Sequence, residues 1–143
     1  MFKHILVATD GSDLATNAVK QASELAQILK AKITIVTVSS IPSMFFAPDV
    51  WSPLMYEDIA KGNAEQSKKT LQAAAKLCTG DVDTVAVESA SPADGIVDTA
   101  ERIGSDLIMM GSHGYRGINR LILGSQASKV LSLAKGTVLI VKG

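Results

Sequence analysis

Short apolar runs and amphipathic helical stretches take strict turns along this chain, and no two runs are close enough to be joined by a hairpin. The run His4-Ile5-Leu6-Val7-Ala8 has no polar alternation, the pattern of a strand buried on both faces, and Thr9-Asp10-Gly11-Ser12 closes it. From Ser12 or Asp13 as N-cap, apolar residues fall at Ala15, Ala18, Val19, Ala22, Leu25, Ala26 and Leu29, the three-and-four spacing of a helix with one dry face. Lys32 to Val38 is rich in β-branched residues, whose restricted χ1 suits a pleated surface, and reads as the second strand. Helical patterning returns from about Leu54 to Cys78, with Ile59, Ala64, Leu71, Ala74 and Ala75 apolar. Val82 to Val87 then alternates like a strand nearer an edge. Ser91-Pro92-Ala93-Asp94 opens the next helix with Ser as N-cap, Pro where a missing N–H is harmless, and Asp at the positive end of the dipole. Asp106 to Met110 is another doubly buried strand, Gly124 to Lys135 another helix, and Thr137 to Val141 the last strand.

Strands separated by helices need crossover connections, so the alternation predicts a single doubly wound α/β domain with a five-stranded parallel sheet covered on both faces. At 143 residues, close to a working domain size of roughly 150, one domain over residues 1–143 is expected. A 47% hydrophobic content with 20% charged residues excludes a disordered chain. Fourteen basic and fourteen acidic residues cancel, so no long-range field draws the chain to nucleic acid or an anionic membrane, and any bound anion must be held locally. Cys78, the single cysteine, has no internal partner. No run approaches the roughly 18 apolar residues of a membrane span, and a cytoplasmic location is expected.

The chemistry is concentrated between the fourth strand and the last helix. Gly111 to Ser125 is far longer than the usual βα loop of about two to six residues, and it holds four of the eleven glycines. Glycines at a strand end let main-chain N–H groups approach a ligand, and Gly124-Ser125 at a helix start offers unpaired N–H groups to an anion, which points to phosphate. No G-x-x-x-x-G-K-[ST] can be drawn, and Gly111, Gly114 and Gly117 miss the G-x-G-x-x-G spacing. What the segment does carry is G-x-x-G, nine residues, then G-S.

On Ile5-Leu6-Val7-Ala8-Thr9-Asp10-Gly11-Ser12, Asp106 to Gly114 and Leu121-Ile122-Leu123-Gly124-Ser125, the sequence resembles the universal stress protein family along nearly its whole length. The resemblance implies an adenine nucleotide alpha hydrolase-like sheet of order 3-2-1-4-5, which reverses between strands one and four, where ligands of open α/β sheets bind. Members with the full glycine spacing look like ATP binders, and the spacing here is intact. The resemblance sets Ala8, Thr9 and Asp10 on the adenine and ribose side, with main-chain groups of Val38 toward the adenine and Met110 packing on the nucleoside. Gly111, Gly114, Gly124, Ser125 and Gln126 would line the ribose and phosphates. Asp10 would hold a ribose hydroxyl or help place a Mg²⁺ travelling with ATP; no residue is assigned as a catalytic group or as a metal ligand by itself. The family's pairing of last strands implies a homodimer, although Gly136-Thr137 stands where the family commonly has a Pro.

Several residues keep two readings. Asp10 also suits a cap or an Asp-Gly turn, Met110 also suits the core, and Arg116 and Arg120 are either phosphate contacts or solvated loop cations. His113 next to Ser112 and near Ser125 invites a base-nucleophile reading, but no third orienting group is visible. Phe45, Phe46 and Trp51, in a proline-rich stretch from Ser39 to Pro53, form either a lid or partner surface, or a hydrophobic cap on the helices. The expected function is an ATP-binding stress-response protein acting as a nucleotide-dependent binding or signalling module. The alternatives are a slow ATP hydrolase or phosphotransferase in the same pocket, and a scaffold that needs no nucleotide.

Overall fold

The computed structural model describes residues 1–42, 47–49, 52–114 and 122–143. In chain order the elements are β1 (His4–Ala8), α1 (Asp13–Leu29), β2 (Lys32–Ser39), α2 (Pro53–Ala75), β3 (Asp83–Glu88), α3 (Pro92–Ile103), β4 (Leu107–Gly111), α4 (Ser125–Leu133) and β5 (Thr137–Val141). The strands form one sheet in the order β3-β2-β1-β4-β5, and each neighbouring pair is parallel. The expected fold class and strand order are thus those observed.

The uninterrupted apolar runs follow from the two-residue period of a strand with both faces covered. Ile5 and Val7 of β1, Ile33 and Ile35 of β2, and Leu107 and Met109 of β4 pack with the inner faces of α1 and α2. Their neighbours Leu6 and Ala8, Val36, and Ile108 and Met110 face the other way, into a second core closed by α3 and α4. Ile5, Leu6 and Val7 have no exposed surface, and each such side chain contributes about 1.5–3 kcal/mol through burial.

Local signals set the helix limits. Ser12, in extended backbone, caps α1 by accepting from Ala15 N at 3.4 Å, which resolves the choice between Ser12 and Asp13. Ser52 and Ser91 cap α2 and α3 in the same way, accepting from Met55 N and Asp94 N. Gly104 ends α3 in the left-handed region at φ 69°, where a residue without Cβ is unstrained.

Several details differ from the sequence reading, among them the end of α2 at Ala75, β3 at Asp83–Glu88 and β2 running on to Ser39. Leu107 opens β4, because Asp106 turns its carboxylate to the Lys3 and His4 N–H groups at 2.9–3.1 Å and ties the N-terminal residues to the sheet. The last helix is shorter than its periodicity suggests, with Gly124 as N-cap and Leu133 its final residue. The buried face of α2 consists of Ser67, Leu71 and Ala74, whereas Ala64 is exposed and Leu54 and Met55 stand in solvent. A helix of 23 residues is about 34 Å long, but the strands it covers, of eight and six residues, span only about 20–26 Å, so its first turns overhang the sheet.

The two sheet edges are chemically unlike. β3 carries Asp83 and Glu88, with Asp83 paired to Lys32 at 2.8 Å, while β5 is Thr-Val-Leu-Ile-Val with no charge.

Candidate functional site

β1 and β4 lie side by side, yet the helices that follow them cover opposite faces of the sheet. The loops leaving their carboxyl ends therefore diverge and leave a crevice between them. A cleft of about 790 Å³ occupies it, and all ten residues singled out in the sequence line it: Ala8, Thr9, Asp10, Val38, Met110, Gly111, Gly114, Gly124, Ser125 and Gln126.

The first wall is the β1–α1 turn. Thr9 N–H donates to Val36 O at 2.9 Å and ends the β1–β2 ladder. Thr9 Oγ1 accepts from Gly11 N at 3.1 Å and Asp10 Oδ1 from Ser12 N at 2.9 Å, so two side chains fold the turn around Gly11, whose φ of 84° favours glycine. Asp10 is therefore a turn-forming residue, the second of its two sequence readings, and it also lines the cleft. β2 runs on beyond the end of β1. By the strand's two-residue period, the main-chain groups of Val38 point the same way as those of Val36, toward the side where β1 has stopped.

The floor is apolar. Ala8, Val36, Val38, Ile96 and Met110 all belong to or pack against the core on the α3 and α4 face, so this part of the cleft is an opening of that core. Met110 is only 7% exposed and serves both core and cleft.

The far wall is the start of α4. Gly124 occupies the N-cap with no side-chain capping bond, and Ser125 and Gln126 form the first turn, so the positive end of the helix dipole borders the cleft. Gln126 reaches sideways, its Oε1 accepting from Ala93 N at 2.9 Å, which ties α4 to the first turn of α3. Lys129 reinforces the junction, with Nζ 2.9 Å from both Ser91 Oγ and Asp94 Oδ2. The Ser91 hydroxyl and the Lys129 ammonium hold the Asp94 carboxyl below the usual carboxylate range.

The glycines also have a local reason within the fold. A Cβ on Gly124 would lie 2.6 Å from Ser112 O, the acceptor of Gly124 N–H at 2.8 Å. A Cβ on Gly111 would press on Leu14 of α1 at 3.2 Å, and one on Gly114 would strike the Asp10 carboxylate. Their spacing thus lets three protein segments close on one another, and the cleft wall is the product of that closure.

Sequence reasoning left out Val36, Ile96 and Ser40, and it had no orienting geometry for Ser112 and His113. Ser112 is buried, and its Oγ lies 3.0 Å from His113 Nδ1, with both residues on the cleft. Ile96 belongs to the periodic stripe of α3, but periodicity does not say that a core residue also faces an opening. Phe45, Phe46, Trp51, Arg116 and Arg120 lie outside the described residues. A smaller hollow of about 360 Å³ lies at the other ends of β4 and β5, near Glu101 and Lys135, and contains none of the ten.

The arrangement offers an apolar floor beside a helix N-terminus, which suits a ligand with an apolar ring at one end and an anion at the other. Asp10 and His113 are the ionisable groups lining the cleft among the described residues. Among those residues no group of three His, Cys, Asp or Glu side chains is placed to hold a metal ion.

The chain matches the model of the universal stress protein family over residues 1–142. A universal stress protein of Methanocaldococcus jannaschii is 31% identical over 142 residues, covering 99% of this chain and 83% of that protein. A solved universal stress protein from Lactobacillus plantarum superposes with a TM-score of 0.70 at 26% identity, over 98% of this chain and 97% of that one. Another, solved in complex with cAMP, gives a TM-score of 0.67 at 25% identity over 98% and 96%. With its 3-2-1-4-5 sheet and the glycine-bordered cleft at the strand reversal, the chain belongs to the universal stress protein family.

Proposed function

We propose that the chain is an ATP-binding stress-response module, with the nucleoside on the apolar floor and the phosphates at the start of α4. The observation that carries this reading is the meeting, in one cleft, of an apolar floor and a helix N-terminus without a side-chain cap. Main-chain groups of Val38 beyond the end of β1 give the edge of an adenine both a donor and an acceptor. The relative solved with cAMP adds support from outside the chain. Asp10 takes a ribose hydroxyl or helps place the Mg²⁺ that accompanies ATP; the ion's chemistry there is neutralisation of phosphate charge.

The protein acts as a homodimer through β5 in the cytoplasm. β5 is the edge without charges, and an uncharged edge invites a further strand, whereas the charges of β3 discourage one. Among the described residues no helix is long and apolar enough to cross a membrane.

The test is calorimetric titration of nucleotide-stripped protein with MgATP and with adenosine, using Ser125→Glu as the variant. Ser125 is exposed in the first turn of α4, where a carboxylate favours the helix dipole, so the fold is kept while phosphates are repelled. Loss of ATP binding by at least tenfold with adenosine retained is the expected result. A wild-type protein that binds neither ligand overturns the nucleotide reading.

A further inference from the structure

We propose that His113 makes the cleft select a phosphorylated ligand over the bare nucleoside, an assignment that rests on the adenine-nucleotide reading above. Among the described residues lining the cleft, His113 is the one whose side chain can carry positive charge. The carboxylate of Asp10 lines the same space.

The ring is held by its own neighbourhood. Ser112 is 6% exposed, and its N–H donates to Val141 O and its carbonyl accepts from Gly124 N–H, so its main chain is fixed between β5 and α4. Its hydroxyl meets His113 Nδ1 at 3.0 Å. When that hydroxyl donates, the neutral ring carries its hydrogen on Nε2, and a protonated ring carries one there too. The Cδ2 atom, bonded to Nε2, lies 3.6 Å from the point where a Cβ on Gly124 would sit. That edge of the ring is therefore beside Gly124, the N-cap of α4, and a phosphate at that helix start meets an N–H from the ring together with those of the main chain. Ser112 is a positioning residue, acting through the imidazole.

The test compares the wild type with His113→Ala, His113→Gln and Ser112→Ala by calorimetric titration with MgATP and with adenosine, each variant first checked by thermal melting. For His113→Ala, ATP affinity falls about tenfold or more, as expected for a lost hydrogen bond to a charged group, and adenosine affinity stays within about twofold. His113→Gln, which keeps a side-chain N–H donor, recovers most of the loss, and Ser112→Ala shows a smaller loss confined to ATP. Equal losses for ATP and adenosine, or no loss for ATP, overturn the assignment. A wild type that binds neither ligand overturns the nucleotide reading itself, which separates the two failures.

Discussion

Replacing Gly124 by Ala tests whether the glycine spacing serves the protein before it serves a ligand. Gly124 has φ −58° and ψ 152°, a conformation open to any L-residue, so the substitution carries no backbone strain. Restricting the unfolded chain would even stabilise the protein by about 0.4–1 kcal/mol. Against this, the new Cβ lies 2.6 Å from Ser112 O, a main-chain atom fixed by the bond it accepts from Gly124 N–H. Overpacking of this kind costs about 1–3 kcal/mol, and loss of that bond adds about 1 kcal/mol. The expected net destabilisation is about 1–3.5 kcal/mol, read in the absence of any nucleotide as a lower urea midpoint at unchanged slope. Gly111→Ala, with closest contacts of 3.2 Å, should cost less. A Gly124→Ala protein as stable as the wild type would refute the reasoning and return the glycine to a purely ligand-facing role.

Gly62 is the counter-example, exposed in α2 with nothing within 4 Å of a built Cβ, so Gly62→Ala should raise stability by about 1 kcal/mol in the same urea titration. The Lys3 and His4 N–H groups hold the Asp106 carboxyl below its ordinary value of 3.8. A lowered carboxylate stabilises the fold above that ordinary value and loses its contribution as pH falls through the lowered one. His4, lowered from 6.5 first by burial and then by Lys32, starts an earlier loss because the unfolded state takes up its proton first. Asp106→Asn should therefore flatten the acid limb of a melting-temperature profile below about pH 4 and, because the Asp106 charge raises the His4 pKa, deepen the earlier loss that sets in as pH falls through 6.5; an unchanged acid limb would count against it.

Much of this architecture was legible because the parallel sheet is covered on both faces. Ile5–Ala8 and Leu107–Met110 are apolar throughout since alternate side chains enter different cores, and Ser12 and Ser91 mark helix starts by the bonds their hydroxyls accept. The strand order came from the family resemblance, since alternation alone allows several orders. What could not be read was anything set by distance between segments remote in sequence. Gln126 serves Ala93, Asp106 serves Lys3 and His4, and Ile96 faces an opening, none of which leaves a periodic trace. The overhang of α2 escaped for a related reason: periodicity gives a helix its dry side but not the length of the surface beneath it.

The cleft opens into only one of the two cores. A ring resting on Ala8, Val36 and Met110, as in the proposed function, would complete the packing of the α3 and α4 layer as a missing side chain would, while the layer under α1 and α2 is already closed. Occupancy would then be felt unevenly across the sheet. It would stiffen the half of the molecule that ends in β5 and leave the opposite layer, with its overhanging helix, much as it was.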